Sequence, residues 1–349
     1  SGYPNPYCFA SDNNNIAPRL AVSWDPFGDA RTSIHAAYGI YYDNHITGMA
    51  GIARGINGED KVQTLLLPFP NSVAAWNAPG HRLPRQAAPA VFPSVEISID
   101  PGMKTPYAHH TSFGVERELP NAMALSASVV IARGKNQVGT IDYNPVVRSL
   151  GTNRRPEDVN GIPGTSASIL QYTSFGETWY RGLMLSLTKR FANRHQFLVG
   201  YTLSKAEDNA TDYQSAFIPQ NNGEGRDDAN PNGLPIGFDP DAERGPSLQD
   251  QRHRFVASGL YILPFDLQVS SIVTIGSGRP YNILAGDDLN GDGDGGTFPP
   301  DRARTNPADP ASSVRRNAGT MPMQATVDVR LARRFTLGVP AADAFALAR

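Results

Sequence analysis

Nine stretches of this chain alternate between apolar and polar residues with a period of two. In the first, Leu20, Val22 and Trp24 share one face, whereas Ala21 and Ser23 share the other. The predicted strands lie at about 19–25, 33–42, 112–116, 123–131, 183–188, 196–204, 253–263, 267–280 and 323–331. The alternation is clear in seven of them and weaker at 253–263 and 267–280. Because successive side chains of a strand point to opposite faces, the pattern predicts an all-β protein whose strands have one apolar side.

Short polar turns and very long connections alternate between these strands. The predicted turns lie at 25–29, 119–121, 192–194, 264–266 and about 334–338, and contain the Pro, Asn, Asp and Gly that tight turns require. The long irregular segments lie at about 43–106, 134–178, 206–251 and 282–321. In an antiparallel sheet this alternation places every short turn at one end. It predicts an antiparallel transmembrane β-barrel segment with short periplasmic turns and long extracellular loops.

Aromatic residues cluster near both ends of the predicted strands. Those beside the short turns are Trp24, Phe27, Phe191, Phe197, Phe265 and Phe335, and those beside the long loops are Tyr41, Tyr42, Tyr107, Trp179, Tyr180 and Tyr281. Aromatic residues also favour strands and pack protein cores. Taken with the asymmetry of the turns, their position favours two aromatic girdles at the membrane boundaries.

The composition narrows the class of protein. With 33 Gly and 29 Pro among 349 residues, the chain is rich in turn formers and unlike a helical protein. A formal net charge of -2 and 18% charged residues give no sign of a nucleic-acid partner. There is no apolar stretch of the roughly 18 residues that a transmembrane helix needs. Cys8 is the single cysteine, so an intrachain disulfide is excluded.

Several motifs resemble the barrel of Oar-like TonB-dependent outer-membrane receptors, a type abundant in Acidobacteria. The resemblance spans about residues 13–338. It rests on 15–20 (NIAPRL), 24–28 (WDPFG), 38–43 (YGIYYD), 112–120 (SFGVERELP), 185–191 (LSLTKRF), 201–206 (YTLSKA), 250–255 (DQRHRF) and 276–281 (GSGRPY). The resemblance implies a 22-stranded barrel with an N-terminal plug that imports a scarce ligand using energy relayed by TonB. About nine or ten of those strands would be present here, in the C-terminal half of the barrel.

The two ends of the sequence differ from what that family would require. Residues 1–6 have neither a basic nor an apolar signal-peptide region, and the residues after Phe335 alternate poorly. We therefore expect 1–349 to be a partial barrel domain, without the signal peptide, the regulatory-like domain, the plug and the final strand. Nine strands also leave an open edge, which hydrocarbon does not tolerate.

One loop carries a partial metal-binding motif. Asp288, Asn290 and Asp292, followed by Gly293, match the first half of a calcium loop, in which oxygen ligands alternate along the chain. The twelfth position is Pro299 instead of a bidentate glutamate. A flexible acidic surface loop is therefore the favoured interpretation of 288–294, with Ca²⁺ as the alternative. No other cofactor is predicted.

The remaining chemistry favours a binding protein over an enzyme. His109 and His110 are adjacent, so on a strand they point to opposite faces and cannot chelate one ion together. No nucleophile-elbow motif or paired-carboxylate spacing predicts catalytic residues. Ligand binding is expected in the loops at about 43–106 and 206–251, for a small-molecule, glycan or peptide ligand. The second loop is acidic through Asp227, Asp228, Asp239, Asp241 and Glu243. A solvated loop is the favoured interpretation of those charges, with a cationic ligand or metal as the alternative.

Two functions therefore remain open. The first is part of an outer-membrane TonB-dependent receptor in a Gram-negative bacterium, with membrane lipid, the plug and TonB as partners. The second is a soluble or secreted β-rich binding module, for example one that binds carbohydrate. They differ in where the apolar faces lie, because a sandwich buries those faces between two sheets and a barrel presents them to lipid.

Overall fold

A computed structural model describes residues 12–43, 95–144, 155–156, 168–209, 234–235, 243–287, 289, 302–306, 308 and 312–333. These ranges contain β-strands, a short 3-10 turn at Pro264–Asp266 and no α-helix. The strands are β1 (Arg19–Trp24), β2 (Thr32–Tyr42), β3 (Val95–Ile99), β4 (Tyr107–Leu119), β5 (Met123–Asp142), β6 (Ser168–Ala192), β7 (His195–Asp208), β8 (Leu234–Pro235), β9 (Gly245–Pro246), β10 (His253–Ile262), β11 (Leu267–Gly276), β12 (Pro280–Tyr281), β13 (Gly319–Thr320) and β14 (Gln324–Arg333). Within the described ranges no helix is long and apolar enough to cross a membrane.

Nine of these strands form one antiparallel path in the order β1-β2-β4-β5-β6-β7-β10-β11-β14. They are the nine strands that the alternation predicts, so the all-β antiparallel prediction is confirmed. Within the described residues β1 pairs only with β2 and β14 only with β11, so the sheet is not closed and the barrel is partial.

Two strands extend far into a segment predicted to be irregular. β5 continues to Asp142 and β6 begins at Ser168, so the predicted loop at 134–178 is wrong over both of its ends. The physical reason is a break in strand phase, because the register shifts between Gly134 and Gln137 and again before Gly139. A bulge adds a residue to one strand and reverses the in-out order beyond it, so period-two alternation cannot be followed through it.

Smaller strands lie inside the other segments predicted to be loops. β3 runs parallel to β6, β8 runs parallel to β5, and β9 is antiparallel to β7. β12 and β13 form a separate two-stranded sheet. The strand predicted at 267–280 is shorter in the structure, where β11 ends at Gly276. β3, β8 and β9 extend the main sheet at the long-loop end, where Ile99, Leu170 and Tyr172 are almost fully buried.

The short turns adopt the left-handed backbone that their sequences favour. Asn193 and Arg194 have φ of 52° and 67° and join β6 to β7 as a two-residue hairpin. Asn121 has φ of 65° in the turn between β4 and β5. Asn tolerates this region better than most residues, so it marks these turns in the sequence. The fifth predicted turn, at 334–338, lies outside the described residues.

Asp25 organises the turn between β1 and β2. Its carboxylate accepts hydrogen bonds from the backbone N–H of Ala30 at 2.7 Å, Gly28 at 3.0 Å and Phe27 at 3.1 Å. The bond from Ala30 is the largest influence on this carboxyl, and together the backbone donors hold the pKa of Asp25 below its usual value. The ionised side chain therefore fixes the path of the chain between the two strands.

The strand register joins the predicted apolar faces into one continuous surface. Leu20 lies opposite Tyr38, Val129 opposite Leu183, and Val273 opposite Val327. The members of this surface, which we call the outer face, include Leu20, Val22, Trp24, Phe113, Leu125, Val129, Ile131, Leu183, Leu185, Leu203, Val327, Val329 and Leu331, and all of them are exposed. A sandwich would bury this surface against a second sheet, whereas a membrane barrel presents it to lipid. The exposure therefore favours the barrel.

The opposite side of the sheet, which we call the inner face, carries mainly small and polar residues. Its members include Ser23, Ser33, His35, Ser112, Gly114, Ser126, Ser128, Ser186, Gly200, Thr202, Ser258, Ser270, Thr326 and Asp328. In a barrel with an apolar outer surface this side lines the lumen. The inner face is thus mostly small and polar, with apolar side chains interspersed at Val130, Met184, Leu198, Val256, Leu260 and Ile272.

Candidate functional site

The long connections lie together at one end of the sheet. The turns β1–β2, β4–β5, β6–β7 and β10–β11 are short, and because each strand is antiparallel to the next along the path, every other connection falls at the opposite end. The predicted ligand-binding loops at 43–106 and 206–251 both lie there. Most of their residues, 44–94, 210–233 and 236–242, lie outside the described part of the chain. Their role in binding stays a prediction.

A buried network of charges ties the bases of two long connections together. The guanidinium of Arg316 donates to the carboxylate of Asp208 at the end of β7 and, at 2.8 Å, to the carbonyl oxygen of Glu243. Arg302 donates to the Glu243 carboxylate at 2.9 Å. Asn317 adds a hydrogen bond of 2.8 Å to the carbonyl oxygen of Pro246. All these charged side chains are buried, so the network fixes the β7–β10 connection against the β11–β14 connection.

This network corrects one interpretation of the sequence. The sequence favours a solvated group for the acidic residues of 206–251, but Glu243 is only 1% exposed and is paired with Arg302. A run of acidic residues in sequence does not show which of them meets a distant arginine, and Arg302 is 59 residues away. Asp227, Asp228, Asp239 and Asp241 lie outside the described residues.

An aromatic and cationic cluster lies on the inner face near the first long loop. The guanidinium carbon of Arg19 lies 4.5 Å from the centre of the Tyr41 ring. The Tyr41 ring meets the edge of the His110 ring with centroids 5.0 Å apart. Gly39 lies beneath this group, and a Cβ there would come within 2.9 Å of the Tyr41 ring. Hydrogen-bond donors and π-faces thus converge on the lumen side, where they are able to contact a polar or aromatic ligand.

Of the aromatic residues predicted to form the girdle at the long-loop end, some lie on the outer face and others do not. Tyr42 and Tyr107 lie on the outer face with ring centroids 5.5 Å apart, and Trp179 shares that face. Tyr41 and Tyr180 belong to the inner face, because adjacent residues of a strand point to opposite sides. Tyr281 lies in β12, away from the main sheet, and Phe335 lies outside the described residues.

The two adjacent histidines are separated by the sheet, as the sequence predicts. His109 stacks on Tyr38 at the outer face, whereas His110 meets Tyr41 at the inner face. A second pair repeats the outer-face arrangement, since His253 stacks on Tyr201 and their Nδ1 and hydroxyl oxygen are 2.8 Å apart. His253 begins β10, and its partner Tyr201 lies 52 residues earlier in the chain, so local sequence patterns do not reveal the pair. The two Tyr–His pairs add polar groups to the aromatic girdle.

The proposed calcium ligands Asp288, Asn290 and Asp292 all lie outside the described residues. Elsewhere, the described ranges hold no group of three or more His, Cys, Asp or Glu side chains placed to bind a metal ion. The calcium loop therefore remains a prediction.

Comparison with known proteins supplies the family. A family model described as "Outer membrane beta barrel domain" matches residues 1–340. No curated protein sequence matches the chain. The matching model covers the whole nine-stranded path, including the outer face that the register assembles.

Several solved structures are similar to the chain at low sequence identity. The outer membrane transporter YddB from Escherichia coli is 14% identical over 78% of this chain and 30% of its own length, with a TM-score of 0.49. The FrpB iron transporter from Neisseria meningitidis is 14% identical over 90% of this chain and 31% of its own, with a TM-score of 0.45. A mutant ferric enterobactin receptor from Pseudomonas aeruginosa is 13% identical over 93% and 33%, with a TM-score of 0.48. The chain thus spans about a third of the length of these proteins.

Proposed function

Because the chain belongs to the outer membrane beta barrel domain family, we propose that it forms part of the barrel of a TonB-dependent receptor, which binds a ligand outside the cell and imports it. The observation that carries the proposal is the pairing of a continuous apolar outer face with a hydrophilic inner face, below long loops gathered at one end. The family places the chain in the outer membrane of a Gram-negative bacterium. The Oar-like motifs in the sequence favour that type of receptor within the proposal.

The proposed binding surface combines the long loops with the inner face beneath them. Arg19, Tyr41 and His110 would form its described floor, since they lie where β1, β2 and β4 approach the first long loop. The buried Arg316–Asp208 and Arg302–Glu243 pairs would hold the other loop bases in place. A rigid scaffold that presents variable loops is the usual arrangement for ligand recognition. The ligand class, whether small molecule, glycan or peptide, would be set by the loops.

Import by this receptor would depend on a plug inside the lumen and on TonB. The hydrophilic inner face supports this part of the proposal, because a plug domain needs a wall with which it can form hydrogen bonds and then exchange them for water. A soluble carbohydrate-binding module would bury its apolar faces and would not expose an apolar surface that crosses nine strands. That alternative therefore has no structural support here.

Uptake by intact cells tests the proposal. The assay compares the parent, a deletion strain and the deletion strain complemented with the full-length gene. Each strain receives one of three labelled probes: a ferric catecholate, a maltooligosaccharide or a peptide. We expect one probe to enter the parent and the complemented strain, and not the deletion strain. Collapse of the proton gradient should stop entry while leaving surface binding intact. Entry of that probe without a proton gradient would contradict dependence on TonB, and binding without any entry would contradict import itself.

A complemented strain that carries Arg19→Gln and Tyr41→Phe tests whether the inner-face cluster contributes to binding of the imported probe. We expect weaker binding of the imported probe at an unchanged amount of receptor in the outer membrane. Glu118→Gln, an exposed position near the short-turn end, is the matched control. Equal binding in both strains would remove the inner-face cluster from the site and leave the loops alone.

We also carry forward the calcium proposal for 288–294. Its ligands would be Asp288, Asn290 and Asp292, on oxygen chemistry that suits Ca²⁺. Calcium would stiffen the connection between β11 and β14. A calcium titration that leaves both the unfolding temperature and the protease sensitivity of this loop unchanged would eliminate the site.

A further inference from the structure

A row of basic side chains lies on the outer face at the long-loop end of β5, β6 and β7. The register places Arg181 between Ile131 and Lys205. One step further toward the long loops, Arg133 and Trp179 lie side by side. One step toward the short turns, the same strands carry Val129, Leu183 and Leu203. The positive charges therefore border the apolar band directly, at the level where lipid headgroups begin.

Positive charge exceeds negative charge in this row. Arg244 joins it from the segment before β9, and its guanidinium donates to Glu207 at 3.0 Å. Lys205 also reaches Glu207, and Arg133 pairs with Glu177 at 2.9 Å. Arg181 forms no hydrogen bond or ion pair with any other described residue and is exposed. Three of these four cationic groups thus share two carboxylates, and the fourth, Arg181, is left to meet a partner from outside.

Trp179 holds two of the guanidinium groups in position. Arg244 lies 4.1 Å and Arg133 lies 5.8 Å from its ring, each measured from the guanidinium carbon to the ring centroid. These residues line one concave surface with Arg181, Lys205 and Glu207. Guanidinium forks match phosphate oxygens, and stacking on an indole orders them before a ligand arrives. An ion-pair network that served only to stabilise the strands would not need the unpaired Arg181.

Beyond this row, the outer face at the long-loop end carries tyrosine and histidine instead of basic residues. On β2, β4, β7 and β10 it carries Tyr38, Tyr42, Tyr107, His109, Tyr201 and His253, rather than arginine or lysine, apart from Lys205 of the row itself. The basic row is therefore local to three adjacent strands. A general attraction to anionic membrane would spread basic residues around the barrel, whereas a local cluster with a stacked tryptophan suits one headgroup.

We propose that Arg133, Arg181, Lys205 and Arg244, with Trp179, form a binding site for the phosphate groups of an anionic lipid in the outer leaflet. The acyl chains of that lipid would lie along Val129, Leu183 and Leu203, and its phosphates would displace water from Arg181. Basic groups beside an apolar surface attract anionic headgroups in this way. The site is separate from ligand import, because it lies on the opposite side of the sheet from the inner face.

Lipid that co-purifies with the full-length receptor tests the site. The receptor is extracted from outer membranes in mild detergent, and bound lipopolysaccharide and phospholipid are quantified per protein by mass spectrometry and phosphate assay. We expect Arg181→Glu with Lys205→Gln to lower the bound anionic lipid several-fold. Arg254→Gln removes one charge at the same end of the inner face and should leave bound lipid unchanged. Equal lipid in all three proteins would overturn the proposal.

Two further arms identify the source of the phosphate. Delipidated receptor is mixed with lipopolysaccharide, phosphatidylglycerol, phosphatidylcholine or inorganic phosphate, and its unfolding temperature is measured. An anionic lipid should raise the temperature for the parent and not for the variant, while inorganic phosphate and phosphatidylcholine should have little effect. Stabilisation by inorganic phosphate to the same extent would show a site for a free anion and contradict a lipid site. Arg181→Glu alone serves if the double variant folds poorly, since Arg181 has no described partner to lose.

Discussion

The hydroxyl of Tyr38 lies 2.8 Å from Nδ1 of His109 on the neighbouring strand, and the two rings stack with centroids 6.0 Å apart. Tyr201 and His253 repeat this contact on β7 and β10, also at 2.8 Å. Each pair is diagonal across two antiparallel strands on the outer face. Each therefore pairs a tyrosine hydroxyl with one histidine ring nitrogen on the apolar side of the sheet.

Removal of one of these hydroxyl groups should weaken the barrel modestly. Tyr38→Phe keeps the ring and deletes the hydrogen bond, so we expect a loss of about 0.5–1.5 kcal/mol in the free energy of unfolding. Tyr201→Phe should behave alike. The measurement is urea unfolding of the full-length protein in lipid vesicles. Tyr42→Phe is the control, because the Tyr42 hydroxyl forms no hydrogen bond with other described residues. If Tyr42→Phe lowers the free energy of unfolding as much as Tyr38→Phe does, the loss comes from removing a hydroxyl at the membrane interface and not from the hydrogen bond to His109.

The buried ion pair of Arg316 and Asp208 should contribute more to the free energy of unfolding than an exposed ion pair does. Asp208→Asn removes one charged partner of the Arg316 guanidinium in a site where both side chains are almost fully buried. Breaking a buried pair by removing one partner costs about 3–5 kcal/mol. Arg244→Gln breaks the exposed pair with Glu207 and should cost less than about 1 kcal/mol.

Protease digestion can locate the effect of that change. We expect Asp208→Asn to accelerate cleavage in the β7–β10 and β11–β14 connections, because Arg316 holds one against the other. Cleavage at the short turns should be unchanged. Uniform acceleration along the whole chain would mean that the barrel itself has opened, and would contradict a local role for the network.

The turn built on Asp25 should stabilise the protein in a pH-dependent way. Hydrogen bonds from Ala30, and then from Phe27 and Gly28, favour the ionised carboxylate, so its pKa in the folded state lies below the usual 3.8. Stability from a lowered pKa is present above the unfolded pKa and is lost as pH falls through the folded pKa. Asp25→Asn should therefore lower the unfolding temperature at neutral pH, and the difference should disappear in acid below about pH 3.8. A difference that persists in strong acid would place its cause in the shape of the side chain.

Local patterns in the sequence predict the main sheet well. Each of the nine path strands has at least one stretch in which apolar residues such as Leu183, Leu185 and Leu187 fall on one face, and side-chain alternation is a local property of strands. Asn121 and Asn193 mark turns through their own tolerance of positive φ. The register that aligns these faces across the sheet then follows, because a slip of one residue would turn an apolar face inward.

Other features depend on residues that are distant in sequence, and the pattern does not reveal them. The bulge near Gln137 changes the phase of β5, so the alternation does not predict the end of that strand nearest the long loops. Glu243 is buried only because Arg302 and Arg316 approach it from another connection. The basic row is likewise divided among three strands and a further segment. Only the register shows that Arg133, Arg181 and Lys205 share a face.

Labelling of neighbouring positions tests the assignment of the two faces directly. Val22, Leu185 and Val327 point to the outer face, and each has an inner-face neighbour one residue away in Ala21, Ser186 and Thr326. Single cysteines at these positions are introduced into the full-length protein after Cys8→Ser. We expect a lipid-soluble maleimide to label the outer three strongly and the inner three weakly.

A water-soluble maleimide, applied to the full-length protein in open vesicles, should give the reverse order, limited by any domain that covers the inner face. Because each pair differs by a single residue, depth in the membrane and distance from the loops are nearly equal within it. The comparison therefore isolates the direction in which the side chain points. Equal labelling within all three pairs by the lipid-soluble reagent would mean that the apolar face does not meet lipid, and the barrel assignment would then have to be abandoned along with the lipid site on β5, β6 and β7.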